Sequence, residues 1–562
     1  MRTHHGISRA VAREGADEQL QLVVSSLTYL NADTPEGILH TWVTESIGGR
    51  FNDGRTKVTK TSFRFLQTLY NENILSITFQ NVGDFMNTRT PKYMLIKNEF
   101  VQKIESGYYR PGDLIPSDNE LMRTLNVSKS TITQALKCLE AEGYIIRQQG
   151  KGTFVADRSK DKINLSIYLC PMEDNEKHFW ISLIEQFNLT SSGFFVTPTF
   201  LTNDKAPLRD SLLQSFTSGN APDILSLDGP DVPYWAYMNS LLPFDGYMDS
   251  SFLSSFLSPI VTQGTYQGKL YHLGYTESTL CILYNKELFH SLGIRIPTSA
   301  EDAWSWDEFL NVCHTIQTKT SFPYPLLMDS GRGLSPKSGE WNSYAGLPFI
   351  VQNNGSFFND TLTATSGYIN SPASVAAMNW LGELFHKYHY THVEDLSADF
   401  PENFAMSLSL PSAYFQSQKR NSNIGIIPLP HGIKAASPHG SWGLCMSRQT
   451  QYPRECCEFI RYVFSLQNQL KISQLTGIPV LKEIYDVMDS FQAGSGNSNI
   501  LFSQLRNTSF TRPQTPAYPF FSKQFSYAFY NIAMGADAQE EMNHLAQQVD
   551  DHLYRHNYYQ QS

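Results

Sequence analysis

The chain has 562 residues and a formal net charge of −10, with 53 Asp/Glu set against 43 Lys/Arg. That length exceeds a single core, which rarely grows beyond about 250–300 residues, and a hydrophobic content of 41% excludes a disordered or fibrous chain. The charge is uneven: residues 86–160 carry a net +4, residues 1–85 a net −1 and residues 161–562 a net −13. A small basic segment beside a large acidic one suits a polyanion-binding unit joined to a part that avoids polyanions.

At the N-terminus, Arg9, Arg13, Glu14, Asp17 and Glu18 precede only a short apolar stretch around Leu20–Leu30, which does not read as a signal peptide. With no uninterrupted apolar run of about 18 residues, no membrane span is expected. The seven cysteines are scattered, without CxxC or Cys/His spacing; they are expected to be reduced and mostly buried, holding no metal, in a cytoplasmic protein. Residues 1–85 show no usable periodicity. Because Met86 stands just before the first clear helix, an alternative start there is expected, which would make the preceding segment an untranslated extension.

The first motif-dense unit spans residues 86–158. Tyr93–Ser106 places Ile96, Phe100, Val101 and Ile104 at helical spacing, and Gly107 follows as a stop. After a turn at Arg110–Asp113, Ser117 and Glu120 form an S-x-x-E capping box that opens a second helix carrying Leu121, Met122 and Leu125. Asn126-Val127 makes a tight turn, and Ser128 caps a third helix with Ile132, Ala135, Leu136 and Leu139 inward. Two capped helices across a tight turn predict a helix-turn-helix. The strand Tyr144–Ile146, the turn Gln148–Gly152 and the return strand Thr153–Val155 predict a glycine-containing hairpin, or wing, whose Lys151 supplies charge for phosphate.

Beyond a polar linker at Ala156–Asp161 the texture changes. Strands are predicted at Ile163–Leu169, Phe194–Phe200 and Asp223–Leu227, with helices at Phe179–Phe187 and Pro207–Ser218 between them. This alternation predicts an α/β architecture with a mainly parallel sheet.

The segment Tyr93–Val155 resembles the GntR family of bacterial regulators, through PGDLIPSDNEL, NVSKSTITQALKCLEAEGYI and RQQGKGTFV taken in order. The resemblance implies contacts to double-stranded operator DNA from Ser117 and Asn119, from Ser128, Lys129, Ser130, Thr131 and Thr133, and from Gln149, Gly150 and Lys151; because one winged unit buries little surface, a homodimer is expected. Helix N-termini and short hydroxyls suit phosphate, and the first turn of a recognition helix can reach base edges. Asn119, Lys129 and Thr133 depart from the family, where arginine is common, so bidentate readout of guanine there is in doubt.

Residues 159–562 resemble the family 1 extracellular solute-binding proteins of sugar transporters. The landmarks, in family order, are SGNAPDILSLD, LLPFDGYM, YQGKLYHLGYTESTLCILYNKELF, WSWDEFLNVC, IIPLPHG, GSWGLCMS and RPQTPAY. The resemblance implies a two-lobed α/β domain, of the periplasmic-binding type, that closes over a small-molecule effector, a sugar or oligosaccharide. Its ligand groups fall at Asp228, Tyr234 and Trp235, at Tyr275, Thr276 and Glu277, and at Tyr414 and Trp442. Trp341, with Asn342, is added on composition alone. Such sites pair aromatic faces with groups that bind hydroxyls.

A LacI-type topology is the rival fold for this sensor. An enzyme reading, with a pyridoxal-phosphate aminotransferase domain behind the same head, needs a Schiff-base lysine followed closely by arginine and glycine. Lys286 is followed by ELFHSLG and Lys337 by SGEWNSY, so no cofactor and no catalysis are expected. A solute receptor of a sugar transporter is the third reading, opposed by the head.

Overall fold

The computed structural model describes residues 91–559 apart from 106–107, 149–150, 157–162, 172–173, 192, 202–204, 329–333, 335–339, 394–403, 421–422, 477 and 486–495. The extension 1–85, Met86, the stop at Gly107 and the wing-tip residues Gln149 and Gly150 therefore lie outside the described residues.

Helix α1 (Lys92–Glu105), strand β1 (Leu114–Ile115), α2 (Asp118–Leu125), α3 (Lys129–Ala141), β2 (Ile145–Gln148) and β3 (Gly152–Val155) make up the first unit. Its core is the apolar set that helical spacing marks: Ile132, Ala135, Leu136 and Leu139 are all fully buried, packed with Ile96, Phe100 and Leu121. Asn126 takes the left-handed conformation at φ 49° and ends α2, as a short side chain that bonds locally can do. The hairpin gains a third strand that sequence spacing did not mark, because β1 pairs antiparallel with β3. Gly152 sits at φ +121°, where a Cβ would stand 2.7 Å from Leu114 Cδ1; a side chain there would prise β1 off the wing.

The rest forms two lobes. In the first, β4 (Ile163–Leu169), β5 (Phe194–Phe200) and β6 (Ile224–Asp228) run parallel and are joined through α4 (Asp174–Thr190) and α5 (Lys205–Thr217). Strand β7 (His272–Gly274) then leads through residues 275–280 into the second lobe. There β8 (Cys281–Asn285), β9 (Tyr324–Leu327), β10 (Phe404–Ser409) and β11 (Ile424–Ile427) form a four-stranded sheet in the order β9-β10-β8-β11. The chain returns through β12 (Ser437–Pro438) into β13 (Trp442–Ser447), which lies antiparallel between β6 and β7. It crosses again near β14 (Ser509–Phe510), which pairs parallel with β12, and ends in the helix Ala538–His556.

Both sheets are thus mixed, a correction to the mainly parallel sheet expected. The βαβ units give parallel neighbours, but a strand re-entering a lobe from the other lobe arrives pointing the opposite way. Each lobe has its own core: Leu165, Ile167, Trp180, Phe187 and Phe459 belong to the first, and Trp304, Leu347, Phe521 and Phe529 to the second. Among the described residues no helix is long and apolar enough to cross a membrane.

Candidate functional sites

In the first unit the exposed polar residues gather at two helix N-termini. Ser117 closes the expected capping box: Glu120 Oε2 accepts from Ser117 N at 2.8 Å, and Ser117 Oγ accepts from Glu120 N at 3.4 Å. Ser128 Oγ accepts from Thr131 N at 3.3 Å and lies 2.7 Å from Thr131 Oγ1 and 2.9 Å from Ser130 Oγ. Both serines are therefore held as caps, with the partial positive charge of each helix start facing outward beside them. Asn119, Lys129, Ser130 and Lys151 are exposed and Thr133 is half-buried. Arg147, which sequence reasoning did not single out, is on β2 within 4.0 Å of Asp118 Oδ1 and 3.8 Å of Glu140 Oε2. It ties the wing to the start of α2 and the end of α3, and its alternation within a strand gave no signal of that role.

Between the lobes, Asp228, Tyr275, Thr276, Glu277 and Trp442 of the sequence-marked residues converge around the three crossing segments. Asp228 ends β6 and stands in register with Trp442, the first residue of β13. Tyr275 N donates to Trp442 O at 2.9 Å, and Thr276 N reaches the same carbonyl at 3.4 Å. Glu277, 1% exposed, accepts from Ser278 N at 2.9 Å and Gly440 N at 3.1 Å through Oε1, while Oε2 stands 3.7 Å from His439 Nδ1. Burial pushes the Glu277 carboxyl up to about 8 and, with the Arg512 charge, pushes the His439 imidazole down to about 4. At neutral pH both are uncharged.

The centre of the seam is a residue sequence reasoning passed over, although it opens the landmark RPQTPAY. Arg512, 2% exposed, donates to Asp228 Oδ1 at 2.8 Å and Oδ2 at 3.0 Å. It also donates to Glu340 Oε1 and lies 4.9 Å over the Tyr344 ring. Glu340 opens α6 (Glu340–Gln352) and also accepts from Tyr518 Oη at 2.5 Å and Ser522 Oγ at 2.8 Å, at the start of α7 (Tyr518–Ala533). Burial opposes the guanidinium charge, but Asp228, Tyr518 and Glu340 outweigh it and hold its pKa well above the ordinary value. Next to it, Arg209 pairs with Asp231 at 2.7 Å.

The remaining aromatics divide. Trp442 and Tyr234 are half-buried, whereas Trp235 is 1% exposed and tilted against Phe216. Tyr275 is packed edge-on to Trp180 at 5.0 Å and donates to Glu176 at 3.2 Å. Trp341 is buried against Tyr344, with its indole N–H on Met328 O, and Asn342 is fully buried with its amide on Ser526 Oγ. Tyr414 stands apart. It packs with Leu283, Ile424 and Ile426, on the opposite face of the second sheet from Ile282 and Ile427, so the crossing segments and Tyr414 lie in different packing clusters.

A capped helix pair with a wing, followed by two α/β lobes joined by three crossings, defines the class: a DNA-binding-type head on a solute-binding fold. The chain belongs to the bacterial extracellular solute-binding protein family, whose model matches residues 183–497, and residues 92–155 form a domain of the gntR family of bacterial regulatory proteins. The head is 47% identical over 66 residues to an uncharacterised HTH-type transcriptional regulator, YurK, of Bacillus subtilis, a stretch covering 12% of this chain and 27% of that protein. It is 42% identical over 67 residues to a histidine utilization repressor of Pseudomonas putida (12% and 27%). Against an arabinose metabolism transcriptional repressor of Halalkalibacterium halodurans it is 44% identical over 71 residues (13% and 19%). The chain thus spans about a quarter or less of the length of these relatives.

Among solved structures, the fold is similar to a solute-binding protein of Thermotoga lettingae bound with α-D-tagatose, at TM-score 0.60 and 20% identity over 70% of this chain and 100% of that one. A substrate-binding protein of Listeria monocytogenes in complex with cycloalternan gives 0.59 and 17%, over 70% and 100%. UgpB of Mycobacterium tuberculosis with glycerophosphocholine gives 0.60 and 18%, over 70% and 99%. The two families found are a DNA-binding regulator and a solute-binding domain, which are not enzyme families.

Proposed function

We propose that the protein is a transcription regulator whose operator binding is modulated by a sugar or oligosaccharide held between the two lobes. The observation that carries this reading is the direct succession of a gntR-family head and a solute-binding fold, with only residues 156–162 between β3 and β4. In this reading residues 86–158 are the DNA-binding domain and residues 159–562 the sensor, in a cytoplasmic homodimer. One winged unit buries too little surface for typical specific affinity, so two copies on a near-palindromic site are required. Ser117, Asn119, Ser128, Lys129, Ser130, Thr131, Thr133 and the wing with Lys151 face the DNA, while Trp442, with Asp228 and Thr276 beside it, lines the effector site. The names of the relatives support repression as the mode, and the sugar-bound neighbours support the ligand class.

A second reading, a solute receptor, is favoured by the family description of the larger domain. Gel-shift titration of the purified full chain against DNA from upstream of its own gene separates the two. A regulator binds this DNA ahead of scrambled competitor, with affinity falling steeply as salt rises; a receptor binds neither. A thermal-shift screen of sugars then identifies the effector, since a ligand that favours the folded state raises Tm.

A further inference from the structure

Helix α2 opens with two acids. Asp118 and Glu120 stand on either side of Asn119, directly after the cap Ser117, so the helix start that Ser117 and Asn119 would present to DNA carries two carboxylates. Negative charge there stabilises the helix, but it opposes a phosphate approaching the same amides. Each acid is engaged in its own way. Glu120 folds back into the capping box, where its Oε2 accepts from Ser117 N and from Ser117 Oγ, both at 2.8 Å. Asp118 takes no part in the box. Its Oδ1 stands 4.0 Å from Arg147 Nη2, on the wing.

Strand β2 brings Arg147 to that position by its alternation. Ile145 is buried, Ile146 exposed and Arg147 half-buried, so Arg147 shares the inward face of Ile145 and is turned toward the helices. On that face its guanidinium lies between Asp118, at the start of α2, and Glu140, near the end of α3, with Nε 3.8 Å from Glu140 Oε2. Nε and Nη2 are both closed off from solvent, yet neither makes a hydrogen bond. The pairing is thus one of charge alone, without the two parallel bonds that make a guanidinium–carboxylate pair strong. Partly exposed pairs of this kind add little to fold stability. Those two nitrogens also face the carboxylates and not the outer surface, where a phosphate would meet them. What the guanidinium does supply is field: a positive charge this near Asp118 offsets the negative potential at the start of α2.

We propose that Arg147 is a positioning residue for DNA binding, which screens Asp118 so that a phosphate can approach the start of α2. The inference rests on the regulator reading. Because the screen is carried by β2, it is in place only when the wing is folded against α2 and α3, so the wing and the helix start meet the duplex as one surface.

The test is a double-mutant cycle on the full chain, read by gel shift against DNA from upstream of its own gene. Arg147→Met should weaken binding about tenfold, the cost of returning a like charge to the interface. Arg147→Lys, which keeps the charge, should recover most of that loss. In the Asp118→Asn background there is no carboxylate to screen, and Arg147→Met should cost only a small part of the same factor. This rescue is the readout that a merely structural role for Arg147 would not give. If Arg147→Met does not fold by circular dichroism, Arg147→Gln carries the same cycle. An equal loss in both backgrounds would make Arg147 a direct phosphate contact or a structural prop and overturn the proposal, as would parent-like affinity in the folded Arg147 variant. No specific binding by the parent chain would overturn the regulator reading itself, and the inference with it.

Discussion

Trp442 faces Asp228 across the antiparallel pair of β13 and β6, so an aromatic ring and a carboxylate stand side by side where the chain passes from one lobe to the other. Tyr275 and Thr276, from a second crossing, both reach the Trp442 carbonyl. A ligand packed on this indole therefore touches the segments that must bend when the lobes move. Coupling of that kind is reciprocal: a ligand shifts DNA affinity only as far as DNA shifts ligand affinity.

Trp442→Ala should weaken the effector identified by the thermal-shift screen about tenfold, the factor that 1.4 kcal/mol of lost ring stacking gives. Ligand-free DNA binding should stay near the parent value. Tyr414→Phe serves as the comparison, because Tyr414 packs in a separate cluster and should leave the ligand titration unchanged. Calorimetric titration of the three proteins reads both outcomes; equal ligand affinity in Trp442→Ala and the parent would place the site elsewhere.

On the head, Lys129→Ala and Lys151→Ala should each weaken operator binding uniformly across sequences and reduce the salt slope by about 1, as expected for one lost phosphate contact. Binding measured at several salt concentrations checks this. Operator affinity unchanged in both variants would remove the wing and the start of α3 from the interface.

Ser128 offers a way to separate folding from recognition. Its hydroxyl caps α3, so Ser128→Ala should cost about 1 kcal/mol of head stability. Ser128→Asp keeps the cap, and a carboxylate suits a helix N-terminus, so thermal stability should hold. In the proposed DNA-bound form the same carboxylate would face phosphate, so DNA affinity should fall sharply. A destabilised head in Ser128→Asp, or undiminished DNA binding, would count against the placement.

The Glu277 carboxyl predicts a pH dependence of stability. Its folded pKa, about 8, lies above the ordinary 4.5, so its contribution is fully present below pH 4.5 and is lost as pH rises through 8. His272 and His439 work the other way: burial lowers each from 6.5 to about 4, so their contribution holds above pH 6.5 and is lost as pH falls. Between pH 6.5 and 8 these two histidines are silent, and Glu277 governs. Tm of the parent chain should fall across that window, and Glu277→Gln should flatten the fall. A parallel decline in both proteins would assign it to other groups.

What the sequence made readable was mostly local. Caps, helical spacing and a tight turn involve residues three or four apart, so the Ser117 and Ser128 caps and the four inward residues of α3 stand where the pattern puts them. Strands β4 and β5 keep the predicted bounds, Ile163–Leu169 and Phe194–Phe200, because period-two alternation marks a strand without its partner. The direction of β13 does depend on a partner, which is why the mixed sheet was not legible. Arg512 was hidden for the same reason: its carboxylates lie 284 and 172 residues away, and an arginine in a loop landmark reads as a surface residue. The aromatics marked for a ligand show the limit most plainly. Trp235 and Tyr275 look like stacking platforms by type, yet each is 1% exposed and packed against another ring, a difference only burial reveals.

The most direct measurement is the affinity of the full chain for its upstream DNA, with and without a saturating amount of the effector found in the screen. Specific, salt-sensitive binding is expected, with an affinity that changes on adding the effector, and in Trp442→Ala the effector concentration giving half of that change should rise about tenfold. Specific DNA binding that does not move with bound effector would contradict the sensor, and the absence of specific binding altogether would contradict the regulator.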